Sequence, residues 1–152
     1  MVFSTDNGGF EFDCKAAKMS LGSSTWSTRL SQLRKMTGRV SILTADLPDP
    51  DYAIGVLSKR PTDVHIVAHL NAASAAKKIK QALPDIRIAL HPGLGAKAIF
   101  VAPKTLWIMS GDFGRGSKLD AGVGFHSPEL YEKTWSQLFA RAWREAHEVT
   151  NV

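Results

Sequence analysis

The chain contains a single cysteine, Cys14, and no long apolar run. One thiol cannot form an internal disulfide, and cysteine-based metal clusters need several, so both are excluded. No stretch reaches the roughly 18 consecutive apolar residues of a transmembrane helix, and no charged-then-apolar leader is present. We therefore expect a cytoplasmic protein without a membrane partner, in which Cys14 is a small packing residue.

Acidic residues are in the minority: 19 Lys and Arg outnumber 14 Asp and Glu, for a net charge of +5. Such an excess is compatible with a nucleic-acid partner or an acidic protein partner. The basic residues are spread along the chain without a polybasic tail, so a solvated surface explains them equally well. The length of 152 residues, 44% of them apolar, suits one domain over residues 1–152, with residues 1–22 as an N-terminal segment at the edge of a sheet.

Apolar runs alternate with helical patterns over the middle of the chain. Strands are predicted over residues 40–44, 64–68 and 86–90, and helices over 51–58 and 71–83, the latter capped by Asn71. Residues 98–101 and 106–109 form a hairpin-like pair, residues 9–12 a short strand, and a helix capped by Ser23 or Ser24 ends near Gly38. This succession predicts an α/β fold with a mixed, mostly parallel sheet flanked by helices.

The clearest predicted element is the last helix. Ser127 is a suitable cap, Pro128 suits the first helical position, and Glu129 suits the first turn. Apolar residues then recur at helical spacing, namely Leu130, Tyr131, Trp135, Leu138, Phe139, Ala142 and Trp143. This stripe is interpreted as a core face, with a partner groove as the alternative.

Residues 90–113, LHPGLGAKAIFVAPKTLWIMSGDF, contain a spaced set of small and polar residues. Lys97 follows Gly95 by two positions and precedes Ala102 by five, and the next strand ends in a turn containing Ser110 and Asp112. The pattern resembles that of the phospholipase D superfamily. In that family a strand carries His-x-Lys with an Asp five residues after the Lys, and a second strand ends in Gly-Ser-x-Asn.

The resemblance extends over about residues 40–143 and implies a phospholipase D-like fold with a degenerate motif. Gly95 stands where the family has its nucleophilic His, Ala102 replaces the Asp, and Asp112 replaces the Asn. Ala121-Gly122 stands where an acidic residue is often found before a short strand. The family's reaction needs an imidazole nucleophile, which Gly95 lacks, so no catalytic residue is predicted.

Binding a phosphate requires no proton transfer, so the remaining residues still suggest a ligand site. Lys97 would supply charge and Ser110 a hydrogen bond, with Asp112 in the same turn. The alternative for Lys97 is a strand-end lysine that extends into solvent. The following Gly-rich loop, residues 111–118, adds Arg115 and Lys118, although a flexible solvated turn is the default for such a loop. It is not a P-loop, because Ser117 precedes Lys118.

The histidines do not form a predicted metal site, and no cofactor is expected. His65 and His69 lie on one strand, more than about 12 Å apart at roughly 3.3 Å per residue, which is too far to share an ion. His91 and His126 are the imidazoles nearest in sequence to the motif, and either would have to replace the missing nucleophile from another strand position.

Three functions are therefore considered. The leading hypothesis is a catalytically inactive phospholipase D-like protein that binds nucleic acid or another phosphate-bearing ligand. The alternative is a protein-interaction or inhibitory module with the same fold. An active phosphodiesterase with an unrecognised nucleophile is the third. Since single-motif members of the family pair two motifs across a dimer axis, the resemblance also implies a homodimer.

Overall fold

The computed structural model describes residues 3, 8–22, 25–115 and 119–150. The strands are β1 (Ala17–Gly22), β2 (Val40–Thr44), β3 (Val64–His69), β4 (Arg87–His91), β5 (Ala98–Val101), β6 (Thr105–Met109), β7 (Asp120–His126) and β8 (His147–Glu148). The α-helices are α1 (Thr25–Leu30), α2 (Pro50–Leu57), α3 (Ala73–Ala82), α4 (Pro128–Thr134) and α5 (Ala140–Glu145). Two 3-10 turns, Leu33–Lys35 and Leu70–Ala72, and a π-helical turn, Trp135–Phe139, complete the helical segments.

All of these strands belong to one sheet, in the order β1-β7-β6-β5-β2-β3-β4-β8. Only the β2–β3 and β3–β4 pairings are parallel. The five other pairings, β1–β7, β2–β5, β4–β8, β5–β6 and β6–β7, are antiparallel. The predicted mixed α/β sheet is thus confirmed, but "mostly parallel" is wrong. Helices α2 and α3 are crossovers, so the strands that they connect, β2, β3 and β4, are parallel. Strands β5, β6 and β7 follow one another through direct reversals and are therefore antiparallel.

Helices cover both faces of the central sheet. Strand β2 is buried at all five positions, as expected of a central strand covered on both sides. Its alternating side chains point to opposite faces: Ile42 packs with Leu57 and Ile79 of the α2–α3 layer, and Leu43 packs with Phe139 of the C-terminal helical segment. Among the described residues, no helix has both the length and the apolar character needed to cross a bilayer.

The N-terminal elements differ from their predictions. Residues 10–14 have no regular secondary structure, and the strand forms later, as β1, at one edge of the sheet. The helix expected to end near Gly38 is split into α1 and a 3-10 turn, and its proposed caps Ser23 and Ser24 lie outside the described residues. Helix α3 starts at Ala73 after the second 3-10 turn, so Asn71 is not its cap.

The C-terminal helical segment begins as predicted but is not uniformly α-helical. The Ser127 side chain accepts a hydrogen bond from the Leu130 amide, and Pro128 occupies the first turn. The π-helical turn then separates α4 from α5. Such turns insert one residue into the helical repeat, and a spacing pattern of apolar residues does not reveal them.

Candidate functional site

The motif residues Lys97, Ser110 and Asp112 lie at the end of the sheet where the parallel strands β2, β3 and β4 end. Leu43 pairs with Ala98 and Ala98 with Ile108, both in antiparallel register. Strand β5 therefore begins, and β6 ends, at this same edge. We call this end of the strands the site edge, and the other end, where β2, β3 and β4 begin, the opposite edge. The site edge resembles the carboxyl-end edge at which open α/β sheets bind ligands.

Lys97 lies at the site edge immediately before β5, and its ammonium is already engaged. Nζ donates a hydrogen bond to the Ser110 carbonyl at 3.1 Å and lies 3.6 Å from Oδ2 of Asp112. The Lys97 carbonyl accepts from the Met109 amide at 2.9 Å, which fixes the two strand ends side by side. Since only 25% of the Lys97 side chain is exposed, this ion pair is partly shielded from water. The ammonium therefore does not extend freely into solvent.

Asp112 is held in place by the loop that follows β2. Its Oδ1 accepts a hydrogen bond from the Asp46 amide at 3.0 Å. Beside it, the Thr44 hydroxyl donates to the Asp46 carbonyl at 2.7 Å and accepts from the Phe113 amide at 2.9 Å. A carboxylate fixed next to an ammonium opposes the arrival of a second anion. Asp112 is thus a built-in competitor for any phosphate at Lys97.

The Ser110 hydroxyl is also engaged within the protein. It donates to Oδ1 of Asp120 at 3.2 Å and accepts from the Ala121 amide at 3.0 Å. The neighbouring Gly111 allows this approach, because a Cβ there would lie 2.8 Å from Oδ2 of Asp120. The Trp26 indole donates to the Gly111 carbonyl at 2.6 Å and so anchors the turn from the α1 side. A ligand that used the Ser110 hydroxyl would have to displace Asp120.

Arg115 is directed toward helix α2. Its Nε donates to Oδ2 of Asp49 at 2.8 Å, and Asp49 also caps α2 through the Tyr52 amide. This amide and the Arg115 guanidinium stabilise the charged carboxylate, so the pKa of Asp49 lies below its ordinary value. The Arg115 side chain is 73% exposed and remains accessible to a ligand. Lys118 lies outside the described residues.

Gly95 and Ala102, two of the positions that differ from the family pattern, lie near opposite ends of β5. Apart from its chain neighbours, no heavy atom lies within 4 Å of where a Cβ on Gly95 would be. Space for a larger side chain is thus open near the site edge. Ala102 follows the other end of β5, where its amide donates to the Arg39 carbonyl at 2.9 Å. The residue at position 102 therefore lies at the opposite edge from Lys97.

The histidines considered as substitutes for the nucleophile are both engaged. At the end of β4, His91 pairs with Glu145 at 3.0 Å through Nε2, and its Nδ1 accepts from the Gly93 amide. His126 lies at the opposite edge, where Thr105 is its partner at 2.9 Å. The imidazole near the β2 loop is instead His69, at the end of β3, which lines a shallow pocket together with Asp46.

Sequence reasoning missed several residues of this edge, namely Trp26, Thr44, Asp46 and Asp120, and it considered His69 only as a metal ligand. The sequence contains a signal for Asp120, since the resemblance places an acidic residue at Ala121-Gly122, directly after it. Thr44 and Asp46 follow a predicted buried strand, which is where site residues of α/β sheets occur. Trp26 carried none, because an apolar residue on a helix predicts only a core contact. Among the described residues, no group of three or more His, Cys, Asp or Glu side chains is arranged to hold a metal ion.

Comparison with known proteins supports the fold. The chain is similar to Nuc from Salmonella typhimurium, a phospholipase D family member, with 17% identity and a TM-score of 0.65 over 89% of this chain and 99% of that one. NucT from Helicobacter pylori gives 13% identity and a TM-score of 0.69 over 88% and 99% of the two chains. No protein-family model matches the sequence, and no curated protein does.

A third similar structure is that of TrmBL2, an archaeal chromatin protein with a novel mode of DNA binding. It shares 11% identity and a TM-score of 0.58 with this chain over 89% of its residues, which correspond to 55% of TrmBL2. At these identities the comparisons establish the fold alone. The protein is therefore an α/β protein with a phospholipase D-like fold.

Proposed function

We propose that this protein is a catalytically inactive member of the phospholipase D-like group that binds nucleic acid through the backbone phosphates. The observation that carries the proposal is the position of Lys97: a partly buried ammonium at the site edge, beside a residue without a side chain where the family has its nucleophile. A glycine provides no group that attacks phosphorus. The ammonium nevertheless provides charge for a phosphate.

The local charges define how such a ligand would bind. The Asp112 carboxylate neutralises the Lys97 ammonium. A phosphate that binds Lys97 must therefore displace this carboxylate and take its place as the anionic partner. Net affinity then depends on the surrounding positive charge, including the exposed Arg115 and the overall charge of +5. Binding of this kind depends strongly on salt, because phosphate contacts release counterions. The DNA binding described for TrmBL2 and the nuclease-like relatives support nucleic acid as the ligand class.

The proposal is tested by fluorescence anisotropy of labelled single- and double-stranded DNA across a salt series. Lys97→Ala is compared with Lys59→Ala, which removes the same charge from an exposed loop before β3 at the opposite edge. We expect salt-sensitive binding that Lys97→Ala weakens more than Lys59→Ala does. Binding that ignores both salt and Lys97→Ala contradicts the proposal. End samples are run on a denaturing gel, and cleaved DNA would show that the protein is an active phosphodiesterase.

The homodimer implied by the resemblance is part of the proposal. Met19 of β1 and Ile108 of β6 both pair with Val123 of β7, so the three side chains share one face of the sheet. Met19 is 62% exposed and Ile108 38%. This apolar row adjoins the site edge, and we place a second copy of the chain on it.

The alternative, a protein-interaction module, uses the same exposed row. In this alternative a different protein, and not a second copy of the chain, binds to the row. A monomer that binds no DNA would favour this alternative.

A further inference from the structure

A small pocket lies between the C-terminal helical segment and the sheet, at the edge opposite Lys97. Its volume is about 230 Å³, and it is lined by Arg39, Ser41, His65, Trp135, Phe139, Ala140 and Trp143. Arg39 directly precedes β2, and Ser41 and His65 lie near the starts of β2 and β3. The pocket is therefore separate from the site edge, and its ligand does not depend on the proposed nucleic-acid binding.

Aromatic rings form one wall of this pocket. Trp135 and Phe139 stack with ring centroids 5.7 Å apart, and Phe139 and Trp143 stack at 6.2 Å. The His65 ring meets Trp143 edge-on at 5.2 Å. Trp135 and Phe139 are the first and last residues of the π-helical turn. Such turns occur frequently at functional sites, because they alter which side chains a helix presents.

The polar groups of the pocket are suited to donating hydrogen bonds. The Arg39 guanidinium lies 4.2 Å from the centre of the Trp135 ring and also interacts with the Tyr131 hydroxyl, and no described carboxylate forms an ion pair with it. The buried Ser41 hydroxyl accepts from the Trp135 indole at 3.1 Å and retains its own proton for a further acceptor. The Nδ1 atom of His65 is buried and has no hydrogen-bond partner among the described residues. An unpartnered buried polar atom calls for an explanation, and a ligand acceptor would provide one.

His65 is suited to be a neutral hydrogen-bond donor in this pocket. Burial lowers the pKa of His65, and the positive charges of Arg87 and Arg39 lower it further, while the carboxylates of Glu148 and Asp63 oppose the shift only in part. The imidazole is therefore neutral at pH 7 and carries one N–H. Arg39 remains the charged group of the lining, and none of the described residues that line the pocket is acidic.

We infer that this pocket binds a small aromatic carboxylate, a single planar ring bearing an acid group. The rings of Trp135, Phe139 and Trp143 would contact the faces and edge of the ligand ring. Arg39, Ser41 and His65 Nδ1–H would donate to the carboxylate oxygens. The volume is below the roughly 300–1,000 Å³ of pockets for drug-sized ligands, which limits the ligand to about one ring.

Benzoate is the probe, and benzamide is its neutral counterpart of nearly the same shape. Each is titrated into the ¹⁵N-labelled full-length chain, followed at the tryptophan indole N–H signals. We expect saturable benzoate binding that shifts the signal removed by Trp135→Phe, and at least about tenfold weaker benzamide binding. Equal affinity for the two compounds would overturn the carboxylate assignment, and no saturable shift would overturn the pocket as a binding site.

Two substitutions in the pocket lining, with one control outside it, test whether the ligand binds there. Arg39→Gln should remove the preference for benzoate, whereas Arg34→Gln, an exposed arginine outside the pocket lining, should retain it. Ala140→Leu should fill the pocket and abolish binding of both compounds, and its thermal unfolding transition reports whether the fold is kept. Because Arg39 is exposed, we expect Arg39→Gln to keep the fold, which the same unfolding measurement checks, so the inference stays testable if Ala140→Leu fails to fold. Benzoate binding unchanged in Arg39→Gln would contradict it.

Discussion

The carboxylate of Asp112 lies 3.6 Å from the ammonium of Lys97, in the turn position where the resemblance places an asparagine. The pairing means that the residue predicted to bind phosphate is already matched by an internal anion. Both side chains are about one quarter exposed, so their interaction is stronger than that of a fully solvated pair. Whatever anion binds at Lys97 has to compete with this carboxylate.

Asp112→Asn should therefore increase the affinity for DNA. An amide retains an oxygen that can accept from the Asp46 amide but removes the charge, so the loop is preserved while Lys97 is released. We expect a Kd that is at least about fivefold lower, because one charge at this distance contributes roughly 1 kcal/mol even in a water-like dielectric and this pair is partly shielded. Anisotropy at low salt measures it. The control is Asp85→Asn, which changes the net charge equally at an exposed position before β4, and an equal gain in that variant would contradict the assignment.

Gly124→Ala should destabilise the fold through contact with Trp107. An added Cβ would lie 2.5 Å from Cζ2 of the indole ring, well inside van der Waals contact. The ring is buried between β7 and α1 and carries the Arg29 guanidinium 3.9 Å from its centre, so it has little room to move. We expect a loss of about 1–3 kcal/mol in the free energy of unfolding, measured by urea denaturation.

Gly55→Ala is the matched comparison for that substitution. Gly55 lies inside α2, and a Cβ there would meet no atom within 4 Å. Alanine is favoured over glycine in a helix by about 0.5–1 kcal/mol, so this variant should be more stable than the native protein. If both variants lost stability equally, crowding against Trp107 would not be the cause.

Much of the fold could be predicted from the sequence where apolar periodicity is strong. Strand β2 was placed correctly because all five of its residues are buried. Strand β1 was missed because its burial is slight, as expected of a strand at the sheet edge. The proportion of parallel pairing was misjudged, since strand–helix–strand order describes only β2 to β4. Which strands pair after β4 depends on the reversals at both ends of β5, which periodicity does not specify.

Only those contacts of the candidate site that join residues close in sequence could be predicted. Lys97 and Asp112 meet because β5 and β6 form a hairpin, a relationship that their sequence spacing suggests. Thr44 and Asp46 reach Asp112 from a strand far away in sequence, so their role depends on β2 lying next to β5. The internal engagement of Ser110 by Asp120 likewise required the β6–β7 pairing, as Ser110 donates across it.

The Arg87–Glu148 ion pair should make stability depend on pH in the acid range. Two hydrogen bonds, of 2.9 and 2.7 Å, join the side chains and attach β8 to β4. The hydrogen bonds from Arg87 lower the pKa of Glu148 below its ordinary value of 4.5 in the folded state. The stabilisation is therefore complete above about this value and is lost as the pH falls through the lower, folded-state pKa.

Glu148→Gln removes that contribution. The urea midpoint of the variant should fall less than that of the native protein between pH 7 and pH 3, because the amide has no proton to gain. The effect should be modest, since the Glu148 side chain is 34% exposed and water screens the pair. Asp85→Asn again serves as the control, and the same flattening in that variant would rule out the Arg87 contact as its source.

Ile108→Lys tests the proposed dimer face. A lysine would place a charge within the apolar row that Ile108 shares with Val123 and Met19, and burying an unpaired ammonium in an interface is costly. The residue is 38% exposed in the single chain, so the monomer should tolerate the change. Light scattering should give twice the chain mass for the native protein and the chain mass for the variant. Lys59→Glu, an exposed charge change after α2 on the opposite face of the sheet, should leave the mass unaltered, and a native protein that is monomeric at micromolar concentration would exclude the dimer.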